Sequence, residues 1–347
     1  MKRVLLIFIV FSLFTVGTLA QNTNPKDEKT THTTQAESDK TRPKNSDVSE
    51  AKSVNTDRPV AAYGEGKHWS FYVVMAGLFD SNINQDEDDI NDYGAVAGAG
   101  VYFRNRAERP NFEFTYEIGR HEYARTSRWE RTSHRFAVRS ENRLGKKWIS
   151  ETSGEMSFKG STEDRELTDR YSLTQFFQYR LTRNHRFNFG GAYRIKRYIR
   201  LDRLRDSTNP YLEGGYETRF GNGRRKLEFS YRYEENNARS DRNSYIRWTY
   251  GTQFETPLFK KGRLVTELRY RPQQYARLIE IELPNARDID VPRRDKRWIF
   301  AADWRRPLTQ ALELGLVYKY EQRDSNDDDR DFKAHAAGVV LTYRWWK

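Results

Sequence analysis

The chain has 347 residues, a net charge of +12 and no cysteine, which excludes disulfides, thiolate metal sites and a lipid-bearing cysteine behind a signal segment. Its mean hydropathy is -0.96 and 14% of it is aromatic. Beyond the first residues no apolar run is long enough for a membrane helix, so any membrane crossing has to be made by strands.

In chain order, Lys2 and Arg3 precede an apolar run from Val4 to Phe14, and small residues at Thr18 and Ala20 follow. This spacing predicts a secretory signal peptide over residues 1–20. Residues 21–66 are polar, rich in Thr, Lys, Asp, Ser and Asn, and hold too little apolar surface to offset the entropy of ordering. They are expected to form a disordered periplasmic leader.

From residue 67 to 347 a different pattern sets in. Apolar and aromatic residues recur at every second position, the period of a strand with one apolar and one polar face. The first row is Trp69, Phe71, Val73, Met75 and Phe79, and the second runs from Tyr93 through Ala95, Ala97 and Ala99 to Phe103. Later rows include Phe112 to Ile118, Tyr171 to Leu181, Leu227 to Tyr233, Trp298 to Trp304 and Leu312 to Tyr320. The last is Ala337, Val339, Leu341, Tyr343 and Trp345. The series predicts about fourteen strands, an even number of the kind that closes a bacterial outer-membrane barrel with both ends on one side.

The connectors alternate in length. Short ones are expected near 106–110, 145–146, 183–184, 221–223, 259–262 and 307–309. Longer, polar ones are expected at 81–91, 124–128, 161–164, 201–209, 236–242, 278–294 and 324–331. Short turns at one rim and long loops at the other belong to outer-membrane barrels. The stretch 278–294 has Pro284 and Pro292 and the apolar Leu278, Ile279, Ile281 and Leu283. It is expected to fold into the lumen as a constriction.

Between the apolar residues stand charges. Unpaired charge facing a dry soluble core would cost several kcal/mol or more, so these residues call for a wet interior, with the apolar rows turned to lipid. The fold class read from the sequence is therefore all-β: a transmembrane antiparallel up-and-down β-barrel behind a disordered leader. Arg139, Arg180, Arg194, Arg219, Arg232, Arg247, Arg269 and Arg305 are the expected pore-lining cations, opposed by Glu113, Glu117, Glu213 and Glu267. Trp69, Phe103, Trp148, Phe254, Trp304, Tyr343 and Trp345, near the row ends, are expected in interfacial girdles.

The stretch Gly77-Leu78-Phe79-Asp80-Ser81-Asn82-Ile83-Asn84 resembles the opening of several bacterial barrel families. These are the putative β-barrel porins linked to exopolysaccharide loci and the barrel part of surface-lipoprotein assembly modifiers. The aromatic ending Tyr343-Arg344-Trp345-Trp346 resembles the terminal strand by which outer-membrane proteins are recognised for insertion, although Lys347 follows it. The resemblance implies an outer-membrane location and contact with membrane lipid, lipopolysaccharide and the barrel-assembly machinery.

Catalytic and metal chemistry find little footing. The chain has 6 histidines, scattered over separate rows, and Ser133-His134 has no third group to make a nucleophilic set. No phosphate-binding glycine loop or dinucleotide fingerprint occurs, and no cofactor is expected. The acidic loops Asp80–Asp92 and Asp324–Asp331 offer hard oxygen ligands. Asp80, Asp86, Asp88, Asp324 and Asp328 are the candidate cation ligands, but Gln85 stands at the glycine position of a calcium loop and Asn91 at its terminal glutamate. A sequence pI near 9.6 raises nucleic acid as a partner, yet the arginines alternate with aromatics on strands, which places them on a barrel wall instead. The expected function is a porin-like passive channel for small polar, preferentially anionic, solutes or a polysaccharide. The alternative is a sealed barrel for export or assembly of surface polysaccharide or lipoprotein.

Overall fold

The computed structural model describes residues 67–83, 90–105, 111–126, 130–161, 167–199, 203–259, 261–281, 289–327 and 330–346. The signal peptide and leader expected over 1–66 lie outside these. Fourteen strands follow one another: β1 Lys67–Asp80, β2 Asp92–Asn105, β3 Asn111–Tyr123, β4 Arg131–Arg143, β5 Trp148–Ser161, β6 Leu167–Arg180 and β7 His185–Ile199. Then come β8 Ser207–Phe220, β9 Arg225–Ala238, β10 Tyr245–Pro257, β11 Arg263–Ile281, β12 Ile289–Pro307, β13 Leu312–Ser325 and β14 Phe332–Trp346. Each pairs antiparallel with its chain neighbours, and β14 returns to β1 to close the barrel. Closure leaves no free sheet edge, so every strand finds its backbone partners within the wall.

The seam answers why the chain ends on an aromatic, apolar strand. Phe71 pairs with Trp345, Val73 with Tyr343 and Met75 with Leu341. All these side chains are on the outward register, and the Phe71 and Trp345 rings stack at 5.8 Å. The side chains of Leu173, Leu212, Phe229, Tyr250, Leu316 and Val339 are likewise exposed. On the outside of a closed barrel, such a band is turned to lipid.

One rim carries tight turns. Gly145, Gly221 and Gly223 take φ of 138°, 60° and 79°, values that a residue with a Cβ reaches only with strain. At the other rim the connector 81–91 falls as the sequence indicates, those expected at 124–128 and 161–164 are longer, and four others are shortened by strand. The sharpest correction concerns 278–294: its described residues, 278–281 and 289–294, are strand and not loop. β11 runs on to Ile281 and β12 starts at Ile289. Leu278 pairs with Pro292 and Ile279 with Val291, past a register shift between Gln274 and Leu278. The β-branched Ile279, Ile281, Ile289 and Val291 favour pairing, and the shift lets Pro292 sit in an irregular ladder that does not need its N–H. Leu283 and Pro284 lie outside the described residues. Three smaller corrections share a cause: β8 begins at Ser207, β9 continues to Ala238 and β13 includes Asp324. Polar residues there continue the ladder where the wall rises out of lipid and needs no apolar face.

Among the described residues a compact apolar cluster sits at the seam. Tyr72, Val74 and Ala76 of β1 cluster with Val340 of β14, and Leu78, Val96 and Val317 pack against them. Glycine makes room: a Cβ on Gly100 would stand 2.4 Å from Tyr72 Cζ, and one on Gly338 2.4 Å from Leu78 Cδ2.

Candidate pore and its charged lining

The strand register fixes which side chains share the inner face. On β3 and β4, Glu113 pairs with Arg139, and Glu117 with Arg135. On β8 and β9, Glu213 pairs with Arg232. Gln253 of β10 pairs with Glu267 of β11, and Gly251 with Arg269. By the ladder, Arg180, Arg194, Arg219, Arg247 and Arg305 share the same strand face as these residues.

Most of these charges are paired, in three groups around the wall. In β2–β5, Arg104 meets Glu113 at 2.8 Å. Arg139 lies 3.7 Å from Glu113 and also contacts Glu151. Arg135 is held between Glu117 at 3.0 Å and Glu155 at 2.9 Å. The Tyr72 hydroxyl, lying across Gly100, donates to Glu117 from two strands away.

In β7–β10, Arg232 donates to Glu213 at 2.6 Å, and Arg219 lies 2.7 Å from Glu217. The guanidiniums of Arg194 and Arg232 sit 4.6 and 4.3 Å from the centre of the buried Tyr211 ring, a cation–π arrangement. Arg247 lies 2.5 Å from Glu234, which also accepts from Asn209 at 3.1 Å and is only 1% exposed.

In β10–β14, Arg269 pairs with Glu267. Arg305 reaches Asp303 at 2.9 Å and Glu313 at 3.5 Å. Glu321 contacts both Arg297 and Lys319. Arg293 meets Asp295 at 2.6 Å and lies 4.2 Å over the Tyr275 ring.

The two sides of the interior differ in how tightly they are filled. Along β11–β14, Asp295, Arg297, Arg305, Glu321 and Arg323 are all buried. Along β4–β5, the side chains of Arg139, Glu151 and Glu155 keep 33–34% of their surface open. The β11–β14 side is thus the more tightly filled, although Asp303 and Lys319 there keep 24% and 27% of their surface.

Sequence reasoning missed several members of these groups. Arg135, Glu234 and Arg297 share the inward parity of residues that were expected, so counting by twos from Arg139, Arg232 and Arg305 would have reached them; Glu151 and Glu321 stand on strands from which no lining residue was named. Tyr72 gave no such signal, because an aromatic in a membrane strand reads first as lipid-facing.

The candidate cation ligands do not converge. Asp80 accepts from the Asn82 amide at 3.0 Å, capping the end of β1 on the inward side. This gives the Asp80-Ser81-Asn82 stretch a local structural role, with Asn82 fully buried. Asp324 accepts from Gln322 at 2.8 Å on the outward side of β13. The two loop bases do adjoin, the Ser81 amide donating to the His335 carbonyl at 2.8 Å, but the two carboxylates are on opposite faces. Asp86, Asp88 and Asp328 lie outside the described residues. Among the described residues no group of three His, Asp or Glu is arranged to hold a metal ion. Ser133 and His134 are adjacent in a strand and so project to opposite faces, and His134 bonds Tyr116 at 3.1 Å. His185 and His335 likewise bond Tyr216 at 2.6 Å and Tyr318 at 2.9 Å.

The aromatics expected in a girdle are outward and cluster at the short-turn rim. Trp69 packs on Phe103 at 4.7 Å, Trp148 on Tyr179 at 4.8 Å and Phe220 on Phe254 at 6.3 Å. With an apolar outer band, an aromatic ring at one rim and a charged interior, this is a transmembrane β-barrel of the bacterial outer membrane.

Solved structures similar to this chain are outer-membrane proteins. OmpT of Vibrio cholerae has 12% identity over 83% of this chain and 100% of its own, with a TM-score of 0.46. An anion-selective porin from Comamonas acidovorans has 9% identity over 80% of this chain and 98% of its own, TM-score 0.42. OccAB3 of Acinetobacter baumannii has 8% identity over 81% and 99%, TM-score 0.42. No family model matches the sequence, and no curated protein does. The assignment to the outer-membrane barrels rests on the geometry of the wall itself.

Proposed function

We propose that this barrel is a passive channel for small hydrophilic solutes with a preference for anions. The observation that carries the reading is the asymmetry of the interior. A wall of buried ion pairs along β11–β14 faces a β4–β5 wall whose charged side chains stay about one-third open. A barrel of this size has room for water where side chains do not meet, and charges lining a water path tune which ions pass. The pore-lining set is Arg139, Arg180, Arg194, Arg219, Arg232, Arg247, Arg269 and Arg305 with Glu113, Glu117, Glu213 and Glu267. Arg135, Glu151 and Glu155 are added at the open wall.

The anion preference follows from the balance of charge. An inward group in which cations outnumber carboxylates supports it: Arg297 and Lys319 share Glu321. We further propose that a signal peptide delivers the chain to the outer membrane and that the barrel-assembly machinery inserts it, with lipopolysaccharide around its outer face. The test is conductance of the refolded full chain in a planar bilayer under a salt gradient. Discrete steps with a reversal potential of the anion-selective sign support the reading. A folded barrel without current overturns the channel, and a cation-selective potential overturns the preference.

A further inference from the structure

At one place among the described residues, several cations gather with no carboxylate between them. At the short-turn rim, between the β4–β5 turn and the end of β6, Arg143, Gly145, Lys146, Lys147, Ile149 and Arg180 line a cavity of about 340 Å³. No carboxylate lines it. Among the described residues none of its four cations has an acidic partner, and the Arg180 Nε is buried with nothing to donate to. The nearest inward carboxylates on these strands are Glu141 and Glu151, one step deeper, and Glu151 is already held by Arg139. Arg180 also pairs across the ladder with Arg186, whose nearest acid, Glu217, is at 3.8 Å and closer to Arg219. The turn is well formed: the Leu144 amide donates to the Trp148 carbonyl at 3.0 Å and the Arg180 amide to the Lys147 carbonyl at 2.8 Å. Backbone bonds, not accident of a loose loop, bring the cations together.

Like charges gathered around one cavity repel one another, and a bound anion relieves that repulsion. A monovalent ion would answer one of the four. A multivalent oxyanion can accept from the two guanidinium forks and the Lys146 ammonium at once, while the Lys147 ammonium stands 5.9 Å over the outward Tyr179 ring; planar forks suit such an ion well. The cavity is at the lower end of the size range of small-molecule sites, and Ile149 is its only apolar side chain. Arg143, Ile149 and Arg180 are all on the inward register, so the cavity opens to the lumen and not to the bilayer.

We infer that this cavity is a docking site for a small multivalent oxyanion, a phosphate ester or a di- or tricarboxylate, at the periplasmic end of the lumen. Its meaning for transport rests on the channel reading above, while its ability to bind does not. A solute leaving the pore would be held there before release, and the same anion arriving from the periplasm would reach the site first.

The probe is inorganic pyrophosphate, titrated calorimetrically into the refolded full chain in detergent at 0.15 M KCl. One equivalent should bind per chain. The double variant Arg143→Gln/Arg180→Gln should weaken binding at least tenfold. Arg224→Gln/Arg225→Gln, which removes the same charge from the β8–β9 turn, should change it less than twofold. Equal weakening in both variants, or in neither, overturns the site. Loss of pyrophosphate binding when phosphatidylglycerol is added to the micelles would assign the cavity to a lipid headgroup and overturn the solute reading. In planar bilayers, pyrophosphate on the periplasmic side should block the chloride current at several-fold lower concentration than on the outer side. Binding without any current would leave the site standing and remove the channel; current without binding would do the reverse.

Discussion

Arg135 is the residue on which the channel reading can be broken most directly. It stands on the inward register of β4, between Glu117 at 3.0 Å and Glu155 at 2.9 Å, at the less tightly filled side of the interior. In Arg135→Gln the two carboxylates lose the cation between them and the local charge falls by one. An ion passing about 6 Å from that point in water feels a change of 332/(80 × 6), about 0.7 kcal/mol. Screening at 0.1 M salt, where the Debye length is about 10 Å, trims this to about 0.4 kcal/mol. The change acts with opposite sign on cations and anions, so the permeability ratio should move by about fourfold toward cations, taking RT as about 0.59 kcal/mol. Arg135→Glu removes two units of charge and should move it about sixteenfold. The assay is the reversal potential in a tenfold KCl gradient, with retained heat-modifiable migration showing that the variant is folded. An unchanged potential in both variants would mean that ions do not pass along β3–β5, and the open wall would not be the path.

Other consequences of the geometry can be read as stability or exchange. Glu234 is 1% exposed and bonded by Arg247 and Asn209; Glu234→Ala removes the carboxylate that the part-buried Arg247 and the Asn209 amide meet and should cost about 1–3 kcal/mol in urea refolding in detergent, a loss under about 0.5 kcal/mol counting against the pairing. Alanine at three glycines should rank by what the new Cβ meets. Gly190→Ala meets the Gln175 carbonyl oxygen at 2.2 Å and should fold worst; Gly100→Ala meets the Tyr72 ring, which can swing off Glu117, and should cost about 1–3 kcal/mol; Gly154→Ala meets nothing within 4 Å and should cost least. Asp92 accepts from the backbone amides of Tyr93, Arg125 and Thr126, so Asp92→Ala should speed hydrogen exchange at the Arg125 and Thr126 amides at least tenfold, and unchanged protection would refute the clamp.

How much of this was legible depended on whether a residue's partner was set by parity or by reach. Strand number, antiparallel closure and the two faces follow from a period of two, because in a closed wall each residue has only lipid or lumen to face. That is why Arg139, Glu213 and Arg232 could be placed inward with no structure, and why the terminal row at Val339, Leu341 and Tyr343 could be turned to lipid. Parity says nothing about reach. Tyr72 stands on the inward register of β1 beside Val74 and Ala76, and the glycine at position 100 on β2 leaves room for its ring to cross to Glu117 on β3. The same blindness made 278–294 read as a loop: two prolines and a polar stretch outweighed the alternating β-branched residues, whose partners are each other across β11 and β12. The unpaired cations at the short-turn rim are the sharpest case. Arg143, Lys146 and Lys147 look like an ordinary basic turn, and Arg180 like any other lumen arginine. The β5–β6 ladder that pairs Trp148 with Tyr179 and Ile149 with Gln178 sets them around one cavity. A charge whose partner is absent from its own strand and from both neighbouring strands cannot be recognised from a sequence read strand by strand, and such a charge is where a pore has capacity left to bind what passes through it.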